Sequence, residues 1–583
     1  MTGFSIEQLK LDPGSISSWS EKDSRHRNWP VVYTLNNNDD VYVGESLNVV
    51  SRLGQHLDSE EKARLRCVRV VLDDTFNKSA CLDLEAYLIQ LFSGDGKYRV
   101  LNRNDGVVNA DYYRRGDYRE TFESIALVLQ QEGVLSKPVR DIENTDLYKL
   151  SPYKSLTSDQ ELAVRMILET VIKDLATTAS VPLVIQGDPG TGKTIIAVFV
   201  MKLMMDIAVM RDAEDPEGDL AFSEYTTEAN AALLRGIRIG LVIPQQSLRA
   251  SVRQVFRKTA GLDETMVLSA TEVGEAEHPY DLLIVDEAHR LSQRANQSSA
   301  QANRRFGAIN ERLFGVDDDG YTQLDWVRAQ SRHQVLMIDP SQSVRPADLP
   351  SELQAELVQT ASATGRYRRL LSQMRVGAGD GYVGYVRAML SHEPPTPRTF
   401  ADYEFLLFEH LGELCERIVR REGEVGLARL VAGYAWEWRS KRDPAAFDIE
   451  LDGCQLRWNS SETDWIARKE SVAEVGSIHT VQGYDLNYAG VIIGPDLRYD
   501  ETSRRFVLDR KNYFDRKGKE NNPRRGLTYS DDDVLGLVLN VYAVLLTRGM
   551  KGTFVYACDP GLRRYLQHYI PSSPQRRLEP GYY

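Results

Sequence analysis

The chemistry in this chain is concentrated in a few short stretches, of which GDPGTGKT at 187–194 is the most explicit. Apolar residues at 183–185 precede it and an apolar run of helical length follows, so the order strand, loop, helix accompanies a match to G-x-x-x-x-G-K-[ST]. Gly187, Gly190 and Gly192, with Asp188, Pro189 and Thr191 between them, would let backbone N–H groups wrap a phosphate chain at the positive end of a helix. Lys193 would reach the β- and γ-phosphates and Thr194 would hold Mg²⁺. DLLIVDEAHR supplies the complementary acids: Asp286 would hold Mg²⁺ through water, and Glu287 would orient or deprotonate the attacking water. Together these stretches imply an NTP hydrolase.

Arg375 in LSQMR and Arg548 in LLTRGMKG are lone cations on apolar segments. Each could be a surface residue, or an arginine that stabilises charge on a γ-phosphate when a second lobe closes. Gln342 in the polar cluster after QVLMI, and Gln482 and Gly483 of HTVQGYD, are further nucleotide candidates. Gln160, three residues after Thr157, either completes a capping box or reads adenine.

A second group lies near the N-terminus. Tyr33 and Tyr42 sit in two short apolar strands joined by Asn36-Asn37-Asn38-Asp39-Asp40, which reads as a hairpin. Ser46 then caps a helix, LNVVSRLGQHL, which puts Arg52 and His56 on one face beside the Leu47, Val50, Leu53, Leu57 stripe. In CLDLEAYLIQLF, Glu85 shares a face with Leu88, Ile89 and Phe92, and a carboxylate so placed is costly unless paired or metal-bound. Phosphodiester cleavage needs an activated nucleophile, a Lewis acid and a cation for developing charge, and this set contains candidates for all three.

The elements that must hold these residues suggest an α/β protein. GIRIGLVI, DLLIV and QVLMI each end in a polar cluster, as strands of a parallel sheet do at the edge where ligands bind. Length 583 exceeds a single core, and 42% hydrophobic with 27% charged residues describes a globular protein. The absence of a membrane-length apolar run and of a signal peptide gives a cytoplasmic expectation with no membrane partner. Five cysteines without a C-x-x-C indicate neither disulfides nor zinc. A net charge of −13 excludes a generally basic coat for nucleic acid but not a local groove.

Three insertions interrupt the pattern. The stretch 211–230 is acidic, and the one after DEAHR is polar and expected to be mobile. The stretch 501–530 mixes nine basic residues with Phe506, Tyr513, Phe514 and Tyr529, which suits a single strand or, given its four acids, a solvated loop.

Over roughly residues 29–105 the chain resembles the GIY-YIG nuclease family, in Tyr33 of VVY, Tyr42 and Gly44 of YVG, Arg52, His56, Glu85 and Asn102. The Gly and Ile of the first motif are both Val here. The resemblance implies that Glu85 holds one divalent metal, Mg²⁺ or Mn²⁺, that Tyr33 or Tyr42 helps activate water, and that Arg52, assisted by His56, stabilises phosphate charge. An inactive binding domain of the same fold is the alternative.

From about residue 155 onward the chain resembles superfamily 1 helicases, and more narrowly their Schlafen-type, domain-of-unknown-function 2075 branch, in GDPGTGKT, VDEAHR, QMR, AGYAWEW, HTVQGYD and LLTRGMKG. That implies two RecA-like lobes with ATP and Mg²⁺ between them and a nucleic-acid track. The expected organisation is a small α+β GIY-YIG domain over 1–120, a helix and linker over 121–154, lobe 1 over 155–350, and lobe 2 over 351–583 with the basic insertion. The expected function is an ATP-dependent motor coupled to an endonuclease, with DNA favoured over RNA. Restriction or anti-phage defence in bacteria would suit that architecture. The alternatives are an NTP-controlled nucleic-acid sensor that does not cut, and an RNA-directed nuclease.

Overall fold

The computed structural model describes residues 3–103, 112–177, 181–209, 222–294, 299–373, 377, 379, 381–461, 465–481 and 484–574. Arg375, Gln482 and Gly483, and most of the acidic insertion, lie outside them. The chain forms two compact units, one of residues 1–178, 194–241 and 250–267, the other of 179–193, 242–249 and 268–583. Among the described residues no helix is long and apolar enough to cross a membrane.

In the first unit the expected hairpin is present. Val31–Asn36 pairs antiparallel with Asp40–Ser46, and Asn37 Oδ1 closes the turn by accepting from the Asp39 and Asp40 N–H groups at 2.8 and 2.7 Å. Tyr33 lies opposite Gly44 in this register. The sheet has five strands in the order Phe4–Lys10, Cys67–Asp73, Val31–Asn36, Asp40–Ser46, Arg99–Val100. Its first strand, FSIEQLK, precedes the hairpin in sequence and pairs antiparallel with Cys67–Asp73.

Strand alternation divides the side chains between two cores. Tyr33, Leu35 and Val70 pack with Val49 and Leu53 of the helix Val49–Leu57, while Val32, Val41 and Val43 pack with Leu84 and Leu88 of the helix Lys78–Asp95. Asn48, not Ser46, caps the first of these helices: its Oδ1 accepts from Ser51 N–H, and the helix starts later than LNVV suggests. Asn77 caps the second, and Gly96 ends it at φ +70°.

The expected helix and linker after residue 120 are a helix, Arg115–Gln131, followed by short helices Val139–Glu143 and Asp146–Lys149. Ile142 and Tyr153 are buried in the same core as Leu88, so this linker reading is corrected: apolar residues at 142 and 153 tie the stretch to the unit. The Tyr153 hydroxyl donates to Asn102 O at 3.0 Å. Val100 exchanges backbone hydrogen bonds with Lys258 and Ala260 at 3.1 and 3.0 Å.

Two further sheets carry parallel strands. Tyr367–Leu370, Leu183–Gly187, Ser331–Ile338 and Tyr280–Val285 run parallel in that order within a six-stranded sheet whose other strands are Ile239–Val242 and Val267–Leu268. The seven-stranded sheet runs Glu404–Leu407, Gly549–Ala557, Leu486–Ile493, Ala428–Ala432, Glu474–Ser477, Cys454–Trp458, Ile449–Leu451, parallel except at its last pair. This is the mixed α/β architecture with parallel-sheet lobes that the strand pattern required.

Two insertions differ from expectation. The polar stretch after DEAHR is not loose over 300–314, where Ala300–Phe314 is a helix capped by Ser299 whose Phe306 and Ile309 pack on Trp326. The stretch 501–530 buries two of its rings and pairs several of its cations at the surface. Phe506 and Tyr513 are buried, and Arg510 pairs with Asp531, Lys517 with Glu520 and Arg524 with Asp319. Phe514 stays exposed, as do Arg504, Arg505, Lys511 and Arg516.

Candidate functional site

The hairpin and the helix Val49–Leu57 bring Tyr42, Arg52 and His56 around the Tyr33 phenol, and Glu85 of the helix Lys78–Asp95 acts on it through charge alone. The Tyr33 hydroxyl lies 2.7 Å from His56 Nε2, and both side chains are buried. Tyr42 completes a ring cluster, 6.3 Å from Tyr33 and 5.1 Å from His56 between centroids. Burial raises the Tyr33 pKa well above that of a free phenol; Tyr42 and Glu85 add to the rise, while the Arg52 guanidinium, bonded toward the hydroxyl, opposes it. Glu85 is half-buried on the helix at the other face of the sheet, so its influence on Tyr33 comes from across the hairpin.

His56 is held neutral. Burial first, then the positive charges of Lys62 and Arg52, push its pKa down to about 3. A neutral imidazole with Nε2 unprotonated accepts a hydrogen bond from the Tyr33 hydroxyl. Arg52 also donates to Gln55 Oε1 at 2.8 Å. Glycine at 44 follows from this geometry, since a Cβ there would sit 2.4 Å from the Tyr33 hydroxyl oxygen. Asn102 fixes the same strand by bonding both the N–H and C=O of Val43, at 3.1 and 2.8 Å. Among the described residues no three His, Cys, Asp or Glu side chains group as a metal cage. Of the five candidates Tyr33, Tyr42, Arg52, His56 and Glu85, the last alone carries a carboxylate, and Mg²⁺, an ion that keeps several of its waters, can be held through one or two carboxylates.

At the phosphate loop, Gly190 and Gly192 take φ of +87° and +81°, and a Cβ on Gly187 would meet Thr191 Oγ1 at 2.4 Å. Lys193, buried at the start of the helix Lys193–Ala208, donates from Nζ to Gly187 O at 2.7 Å, and Thr194 follows it in that helix. Asp286 is fully buried at the end of Tyr280–Val285. Glu287 follows in the left-handed region at φ +50°, a conformation that costs a non-glycine residue about 1–3 kcal/mol.

Burial would raise the Glu287 pKa, but His289 at 3.1 Å, then Lys193 and Arg290, outweigh it and hold the carboxyl well below the usual range. Asp339 N–H donates to His289 Nδ1, which leaves the Nε2 proton for Glu287. Gln342 donates to Asp339 Oδ2 at 2.7 Å and accepts from Arg548 at 3.2 Å. Arg548 is therefore a buried partner of a strand-end cluster rather than a surface cation. Gln160 does form the capping box with Thr157.

The comparisons with known proteins bear on this second arrangement. A family model described as the Schlafen group 3 DNA/RNA helicase domain matches residues 180–559. The chain belongs to the Schlafen group 3 family. An uncharacterized protein of Saccharomyces cerevisiae is 26% identical over 412 residues, 66% of this chain and 83% of that protein. The crystal structure of arterivirus nonstructural protein 10, a helicase, aligns with a TM-score of 0.27 at 12% identity, covering 69% of this chain and 64% of that one. The present chain thus spans less than two thirds of the viral helicase. The Schlafen group 3 match takes in the phosphate loop, DEAHR, Gln342 and Arg548, so these residues belong to a helicase-like domain; residues 1–179 precede it.

Two partners in the two arrangements, Lys62 and His289, carry no sequence mark of their own, and a third, Arg387, which bonds Asp188 of the phosphate loop, carries a faint one. Lys62 stands over the Tyr42 ring at 4.1 Å but comes from a charged run, SEEKARLR, in which nothing distinguishes it. His289 looks like part of a motif rather than a contact. Arg387 was detectable in principle, as the single charge in YVGYVRAM, where Tyr382, Val383, Tyr385, Val386 and Met389 are all buried.

Proposed function

We propose that this protein is an ATP-driven nucleic-acid motor that carries a metal-dependent phosphodiester nuclease in its N-terminal region, with DNA as the favoured substrate. The motor reading rests on the helicase-like domain and its phosphate loop. The nuclease reading rests on one observation, the buried Tyr33–His56 hydrogen bond on which Tyr42, Arg52 and Glu85 all act.

In this reading a neutral His56 accepts a hydrogen bond from the Tyr33 hydroxyl, which turns a lone pair of the phenol oxygen toward an attacking water. Arg52 meets the charge that develops on the phosphate. A divalent cation at Glu85, Mg²⁺ or Mn²⁺, would supply Lewis-acid chemistry there. In the motor, Lys193 and the loop N–H groups hold the phosphates, and Asp286 and Thr194 are the residues that would hold Mg²⁺. Glu287, kept ionised by His289, orients the water, and Arg548 with Arg375 stabilises transferred charge. Hydrolysis licenses the cut. Restriction or anti-phage defence is the use that a cutter joined to a motor fits.

The test is incubation of purified protein with plasmid DNA and, separately, RNA, with Mg²⁺ or Mn²⁺ and with ATP present or absent. Metal-dependent fragments from DNA support the proposal. Binding of either nucleic acid without fragments would instead make the N-terminal region a binding module, and fragments from RNA alone would reverse the substrate preference.

A further inference from the structure

Arg387 is the one charged residue of the helix Tyr382–Met389, and its guanidinium spans the ends of two adjacent strands of the six-stranded sheet. Nη1 donates to Asp188 Oδ1 at 2.7 Å, inside the phosphate loop that follows Leu183–Gly187. Nη2 bonds Ser341 Oγ and lies 3.7 Å from Asp339 Oδ1, both just after Ser331–Ile338. Arg369 approaches the same Asp188 at 3.9 Å, and Gln373 Nε2 donates to Pro189 O at 2.6 Å. Arg369, Gln373 and Arg387 therefore hold the loop at its first two positions after Gly187.

Asp188 is an odd neighbour for a phosphate. Its carboxylate stands in a loop whose N–H groups otherwise favour anions, so it repels the group the loop is shaped to hold. Arg387 offsets that repulsion, and its forked donors match a phosphate as well as they match a carboxylate. Asp339, the other carboxylate near it, is already engaged by Ser341 and Gln342, and Gln342 in turn by Arg548. Arg387 and Arg548 thus converge on one strand-end cluster from different segments.

We propose that Arg387 reads the terminal phosphate of the bound nucleotide, exchanging Asp188 for the γ-phosphate as its partner, so that the loop distinguishes a triphosphate from a diphosphate. This rests on the nucleotide reading of the loop.

The test compares the affinity of the purified full chain for a fluorescent diphosphate and for a fluorescent non-hydrolysable triphosphate. Arg387→Gln is expected to weaken the triphosphate about tenfold or more and the diphosphate far less, as loss of one charge-assisted contact implies. Arg387→Lys should recover part of the loss. Asp188→Asn should raise the preference for triphosphate, and Arg387→Gln should still cost affinity when added to it. Equal weakening of both nucleotides, or an Arg387→Gln cost that vanishes in the Asp188→Asn background, overturns the proposal, because Arg387 would then only neutralise Asp188 or support the loop. Asp188→Asn decides the matter alone if Arg387→Gln does not fold: an unchanged preference counts against it. If the parent and Lys193→Ala bind both nucleotides equally weakly, the site reading itself fails, and this proposal with it.

Discussion

The tyrosine cluster and the phosphate loop hold polar groups in opposite ways. Tyr33 and His56 are 0% and 3% exposed and satisfy each other inside a hairpin and helix that lie within 26 residues of sequence, Val31 to His56. Asp188 and Arg387 keep 36% and 31% of their side chains exposed and come from segments 199 residues apart. A buried pair in low dielectric is fixed in geometry and shifted in pKa, whereas a half-exposed ion pair between distant segments contributes little stability and can exchange partners. The first suits a phenol held in one orientation and one protonation state. The second suits a group that must change partner as a nucleotide arrives.

The largest effects that would break this comparison are reciprocal. Lys193→Ala should lower nucleic-acid-stimulated ATP hydrolysis by about a hundredfold or more and leave the fold of the tyrosine cluster intact, checked by a phosphate-release assay beside a melting curve. Glu85→Ala should lower metal-dependent cleavage by a similar factor and leave ATP turnover within about twofold. If each variant impaired both activities equally, the two regions would not be separable in the way their geometry implies.

A smaller effect sharpens the buried side. Gly44→Ala places a methyl on the Tyr33 hydroxyl, so it should destabilise the N-terminal region by about 1–3 kcal/mol and cut cleavage with it, read by denaturant unfolding and a cleavage time course. A silent Gly44→Ala would mean that the Tyr33 ring is free to move.

The smallest effect is a pH slope. The folded-state pKa of His56, about 3, lies below its ordinary 6.5, so between those values the unfolded chain binds a proton that the folded chain refuses. This contribution is full above pH 6.5 and is lost as pH falls toward 3, at about 1.4 kcal/mol per pH unit from this one group. Unfolding of the parent across pH 7 to 4 should show the slope, and His56→Gln should flatten it.

What the sequence made legible follows the same division. Period-2 and helical patterns placed the hairpin, the Arg52–His56 helix and the Glu85 helix because each is a local interaction whose signal lies within a few residues. The same held for strands that end in polar clusters, since Asp286, Asp339 and the phosphate loop sit where parallel strands deliver them. Spacing cannot show which distant cation meets which anion. Arg387 on Asp188, Arg548 on Gln342 and Lys62 over Tyr42 depend on chain topology, and the pairing of the 501–530 cations depends on partners as far away in sequence as Asp319. Two errors were local: Asn48 displaced Ser46 as a cap because both can accept the same kind of N–H bond, and a polar run at 300–314 hid a helix whose buried side carries only two large apolar residues, Phe306 and Ile309, beside Gly307 and Asn310.

The central claim, that a nucleotide motor governs a cut made in the N-terminal region, is tested most directly by the rate of plasmid cleavage in Mg²⁺ with ATP, with a non-hydrolysable analogue and with no nucleotide, in the parent, Lys193→Ala and Glu85→Ala proteins. The account predicts that ATP accelerates the parent, that Lys193→Ala cuts at one slow rate whatever the nucleotide, and that Glu85→Ala does not cut at all. Cleavage by Glu85→Ala at the parental rate, or a parental rate indifferent to ATP, would contradict it.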